Sequence, residues 1–260
     1  MKWRLLACSS LLLIVPRANA QQPDMKRWLN TGTNEERTQK LVSLGIGRDE
    51  AELAVGDEVQ WRTVRSESRR KLAVLFAPCG GLESAYLYLL QSGETGWHVT
   101  DSKGFDCHYD DSVSIETAPL RGPDTDEVLV HHECEDHGTG LLHQDFNVFA
   151  VDTSRLRLVL DVQEVVLVSG WPGVPERLQR SAFTLVPTPG LPSQTIEETR
   201  CTRLNGKLTI WERSFHWSPA SFHFAPSTFV KADPSDAKSE AVCHQLAVPA
   251  TASEPAHSKN

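Results

Sequence analysis

Thr195-Ile196-Glu197-Glu198-Thr199-Arg200-Cys201-Thr202-Arg203-Leu204-Asn205-Gly206-Lys207-Leu208-Thr209-Ile210-Trp211 is the stretch on which the fold turns. Two runs rich in Thr and Ile, Thr195 to Thr202 and Lys207 to Trp211, flank Asn205-Gly206. A two-residue type I′ turn needs positive φ at both central positions, and Asn-Gly supplies that more readily than other pairs. The stretch therefore predicts an antiparallel hairpin. Upstream, Lys71 to Ala77, Ala85 to Leu90 and Trp97 to Thr100 read as strands, the last after the turn Ser92-Gly93-Glu94-Thr95-Gly96. Further runs are Ser112 to Thr117, Glu127 to His132, Asp145 to Val151, Arg155 to Leu160 and Glu164 to Val168. Many short strands separated by turn residues indicate an all-β chain of antiparallel meander units, packed as a propeller or a sandwich.

The runs recur. Val74-Leu75-Phe76, Val128-Leu129-Val130 and Phe183-Thr184-Leu185 each open a strand, a Gly-rich turn, a second strand and a closing strand, at nearly equal intervals. With a leading strand before each (Val59 to Val64, Ser112 to Thr117, Glu164 to Val168), three four-stranded units are expected. Asp124-Thr125-Asp126-Glu127-Val128-Leu129-Val130 running to His137-Gly138-Thr139-Gly140 resembles the FG-GAP or VCBS-like repeats of secreted propeller proteins, over about residues 70–215. The resemblance implies blade-like units. The calcium loop of those repeats is not completed here, because Asp124-x-Asp126 is followed by Glu127-Val128 without glycine.

Residues 1–20 read as a signal peptide. Lys2 and Arg4 precede the apolar run Leu5 to Val15, and Ala18-Asn19-Ala20 offers a small-x-small cleavage site before Gln21. The apolar run is about half of what spans a bilayer. A helical lead over 21–57 follows. Thr33-Asn34-Glu35-Glu36 fits a capping box ahead of Leu41 and Leu44, with a second short helix from Asp49 to Val55. The antiparallel domain is expected over 58–230, and a tail rich in Ala, Ser and Pro over 231–260. The expected location is periplasmic or secreted.

The chain carries a net charge of −8, and losing Lys2, Arg4 and Arg17 with the leader deepens it to −11. Such a surface has no electrostatic footprint for nucleic acid, and no later run is apolar enough for membrane insertion. Five cysteines remain after cleavage: Cys79, Cys107, Cys134, Cys201 and Cys243. Pairing of Ser112–Thr117 with Glu127–His132 would set Cys107 opposite Cys134, about equally far from the turn. A second pairing joins Cys201 to Cys243. An odd number leaves one thiol over or pairs it between chains.

Motifs for nucleotide cofactors and for serine hydrolases are absent, so no cofactor is expected. The densest set of chemical groups is His131-His132-Glu133-Cys134-Glu135-Asp136-His137, with His143 beyond. Imidazole and carboxylate are metal ligands, and His131, His137, His143 and Glu133 are the candidates. Strand alternation puts His131 and His132 on opposite faces, and the turn Gly138-Thr139-Gly140 would bring His143 back alongside His131. The expectation is a polar strand end without a functional metal. Asp110-Asp111 are candidate glycosidase carboxylates that read better as solvated surface. Trp61, Trp97, Trp171, Trp211 and Trp217 read as core aromatics rather than a sugar-stacking platform. The role expected is binding or structural, with a protein or carbohydrate ligand. Alternatives are a secreted hydrolase acting on polysaccharide or ester substrates, and a metal-binding protein using the His131–His143 cluster. Carboxylates or a Ser–His pair converging in one pocket would favour the hydrolase.

Overall fold

A computed structural model describes residues 24–66, 71–77, 84–106, 113–136, 141–152, 154–168, 177–204, 206–232 and Cys243. The leader 1–20, His137, Cys107 and the tail from residue 233 on, other than Cys243, lie outside the described residues, as do Asp110, Asp111 and Trp171.

Three short helices open the described chain: α1 (Met25–Leu29), α2 (Asn34–Ser43) and α3 (Arg48–Ala54). The capping box at Thr33 is formed. The Thr33 hydroxyl accepts from the Glu36 amide at 3.3 Å, and Glu36 Oε2 accepts from the Thr33 amide at 2.8 Å. Two orphan donors at the helix start are thereby satisfied. Asn30 fixes the lead to the first strand, since its side chain accepts from Val59 N and donates to Val59 O. Leu29, Leu41, Leu44, Ile46, Ala51 and Val55 then bury against Trp61, Ala73, Leu75, Tyr88 and Leu90 of the sheet.

That sheet is β1 (Gln60–Val64), β2 (Leu72–Ala77), β3 (Ser84–Gly93) and β4 (Gly96–Asp106), an antiparallel meander in sequence order. All six residues of β2 are buried, because helices cover one face and a second sheet covers the other. A strand covered on both faces loses its polar alternation, which is why Leu72 to Ala77 is apolar throughout.

The second sheet holds β5 (Val113–Ala118), β6 (Glu127–Asp136), β7 (Leu141–Asp152), β8 (Arg155–Val168), β9 (Arg177–Pro187), β10 (Gln194–Leu204), β11 (Lys207–Ser218) and β12 (His223–Pro226) in order, with β13 (Val230–Lys231) beside β11. β8 and β9 pair only over Val165–Val168 and Arg177–Arg180. This short hinge lets β9–β12 fold back over β6–β8, where Ile196, Phe215 and Phe224 meet Phe146, Val148, Val159 and Val162. The result is layered: helices, β1–β4, β5–β8 and β9–β12, with an apolar interface between each pair.

The all-β antiparallel reading holds. Of the expected four-stranded units, β1–β4 form a separate sheet, whereas β5–β8 continue into β9–β12 in one sheet. Arg155 to Leu160 and Glu164 to Val168 are one strand, β8. Register shifts opposite Gln144/Asp145 and Val148/Phe149 absorb extra residues as bulges, so Asp161-Val162-Gln163 continues the ladder instead of turning. At the deciding hairpin the register runs from Ile196↔Phe215 to Leu204↔Lys207, and Gly206 has φ +76°, the left-handed conformation the turn requires.

Cys201 and Cys243 form a disulfide with Cα atoms 5.6 Å apart, packed with Ile210 and Leu178. The Cys107–Cys134 pairing lies outside the described residues. Among the described residues no helix is long and apolar enough to cross a membrane.

Candidate functional site

β6 runs through the middle layer, so each of its faces meets another sheet. Val128 and Val130 point toward β1–β4, while Leu129 points toward β9–β12. The same alternation carries on into His131 and His132 and sends them to different interfaces. His131 stacks near Phe146, centroids 4.9 Å apart, and its Nδ1 lies 2.7 Å from Glu164 Oε2. His132, 6% exposed, lies against Phe105 of β4 with ring centroids 5.6 Å apart.

The register decides which residues join each imidazole. β6 and β7 pair as Cys134↔His143, His132↔Asp145 and His131↔Phe146. Directly paired residues share a face, so His143 sits on the His132 side. The expected return of His143 alongside His131 is corrected by this register. Glu133 pairs with Gln144 on the His131 face. The candidates His131, Glu133 and His143 are therefore split across the sheet. Among the described residues, no three His, Cys, Asp or Glu side chains are grouped to hold a metal.

The His132 face opens into a cavity of about 710 Å³ between β4 and the strands β6–β8. Its apolar lining is Phe105 of β4 with Phe149, Leu156 and Leu158 of β7 and β8. Its polar lining is His132, His143, Asp145, Asn147 and Asp161, with Arg157 on β8 and Lys103 on β4. His143 Nε2 is 3.7 Å from Asp145 Oδ2, and the Asn147 amide donates to Asp161 Oδ1 at 2.9 Å. Burial pushes the Asp145 carboxyl up. His143 and His132 act against that shift, and Asp161 adds to it. The cleft is anchored beside the site, where the Leu156 amide donates to Asp101 Oδ2 at 2.7 Å. Among the described residues, the lining carries no serine, threonine or cysteine.

Sequence reasoning reached His143 but missed His132 as a lining residue, and missed Asp145, Asn147 and Asp161 altogether. Their signal was an alternation of polar residues, His143, Asp145 and Asn147, in a strand whose other face is apolar. It reads as a solvent face until a second sheet is known to cover it. Among the described residues, the tryptophans form no single platform. Trp61 and Trp97 meet edge to face at 5.2 Å under the helices, and Trp217 packs on Phe222 and Phe224 two layers away. Asp126, proposed within the repeat-like loop, holds the Arg65 amide and guanidinium and so pins β1 to the second sheet.

No family model, curated protein or solved structure matches this chain.

Proposed function

We propose that this is an exported binding protein that takes a small polyhydroxylated ligand in the cleft between β4 and β6–β8. The observation that carries the reading is the mixed lining of the cleft. Asp145, Asn147 and Asp161 share it with the rings of Phe105 and Phe149, whose centroids are 6.0 Å apart. Carboxylates and amides bond pairs of hydroxyls, while the C–H face of a sugar packs on an aromatic ring. A mostly preformed cavity with few convergent polar groups is the usual form of a small-molecule site. The leader-like N-terminus and the Cys201–Cys243 bridge support export, since such bridges persist in oxidising compartments.

Calorimetry and saturation-transfer NMR with glucose, galactose, xylose, N-acetylglucosamine and their β-linked disaccharides test the binding. At least one is expected to bind, with affinity cut about tenfold by Phe105→Ala or Asn147→Ala. Flat titrations throughout would discard the reading. Mass spectrometry of the exported chain is expected to find Gln21 at its start, and retention of Lys2 would discard export by cleavage.

A further inference from the structure

The cleft holds two carboxylates in unlike surroundings. Asp145 on β7 pairs with Gln163, and Asp161 on β8 pairs with Asn147, so the two acids are diagonal neighbours on one face. Such neighbours stand about 7–8 Å apart. The Asp145 side chain is 26% exposed and burial favours its protonated form. Asp161 is exposed and accepts a hydrogen bond from the Asn147 amide. The other titratable groups lining the cleft with these acids are His132 on β6, His143 on the strand of Asp145, Arg157 on β8 and Lys103 on β4. Two carboxyls on one face of a cleft, one of them favoured as the acid by burial, form the minimum apparatus for cleaving a glycosidic bond.

We propose that this cleft hydrolyses glycosides, with Asp145 donating a proton to the leaving oxygen and Asp161 receiving one from the attacking water. This rests on the reading of the cleft as a saccharide site. As the C1–O bond breaks, its electron pair leaves with the oxygen, which takes the Asp145 proton. The water oxygen bonds to C1 from the opposite face, and its proton passes to Asp161. The products are a free sugar and an alcohol. Proton exchange with solvent then restores Asp145 as the acid and Asp161 as the anion. The two acids are diagonal rather than directly paired, and the course proposed is the inverting one, in which a water enters between the carboxyls. Phe105 supports the sugar ring.

The test uses the full mature chain with methyl and para-nitrophenyl glycosides of glucose, galactose and xylose, in both anomers. Turnover with an inverted anomer and a bell-shaped pH profile is expected. Asp145→Asn should lower kcat/KM on methyl glycosides by about 100-fold or more. The loss should be smaller on para-nitrophenyl glycosides, whose leaving group needs little protonation. Asp161→Asn should lower both alike, and circular dichroism confirms that the variants fold. Saccharide binding without turnover overturns hydrolysis and leaves the binding reading standing. Neither binding nor turnover overturns both. Turnover with a flat pH profile, or turnover that survives both folded variants, also overturns the proposal.

Discussion

Glu198 is fully buried on β10, where Ser181 Oγ, Arg200 and Arg213 donate to its carboxylate. Arg213 also lies over Phe215, 4.5 Å from the ring centroid. Removing one member of a buried ion network leaves charge without compensation. Glu198→Ala is expected to cost about 3–5 kcal/mol, read as a lowered urea midpoint, because two arginines lose their counter-ion together. Asp145 behaves differently. Burial raises its carboxyl above the unfolded value, so the folded chain holds that proton more tightly than the unfolded one does. Its favourable contribution is complete below the ordinary carboxylate range and is lost as pH rises through the folded value. Asp145→Asn should therefore flatten the stability–pH curve and leave the protein more stable at neutral pH, by about 1 kcal/mol. Urea unfolding of both proteins at acidic and neutral pH checks this, and a variant less stable at neutral pH would remove burial as the cause.

Among the elements, α2 was the most readable, because a capping box is a local device whose partners lie three residues apart. Thr33→Ala should cost about 1 kcal/mol and speed hydrogen exchange over residues 34–43 ahead of the sheets. The strands were legible in kind but not in length. β4, β6 and β11 run well beyond the apolar runs that announced them, into Asp101–Asp106, Glu133–Asp136 and Glu212–Ser218. Pairing with a neighbour, not side-chain hydrophobicity, keeps those polar residues extended. β8 shows the opposite error. Asp161 and Gln163 look like a break in the sequence, yet two bulges carry the ladder through them.

Across the whole molecule, apolar interfaces hold the layers together, and the disulfide fastens chain within the last of them. Cys201 in β10 and Cys243 close 42 residues of chain around β11–β13. On the chain-entropy account the bridge contributes about 4 kcal/mol. Cys243→Ser should lower the thermal midpoint of the oxidised protein and leave that of the reduced protein nearly unchanged. By itself, the sequence determined what short-range physics controls: the antiparallel β class, the helical lead with its cap, the Asn205-Gly206 turn, and the opposite facing of His131 and His132. Each depends on residues a few positions apart. The register of β7 against β6, the merging of two expected strands into β8 and the folding of β9–β12 over the middle layer depend on contacts between distant segments. Only the tertiary structure decided those, and with them the site. Asp145, Asn147 and Asp161 look like a solvent-facing stripe until β4 brings Lys103 and Phe105 into the same cleft.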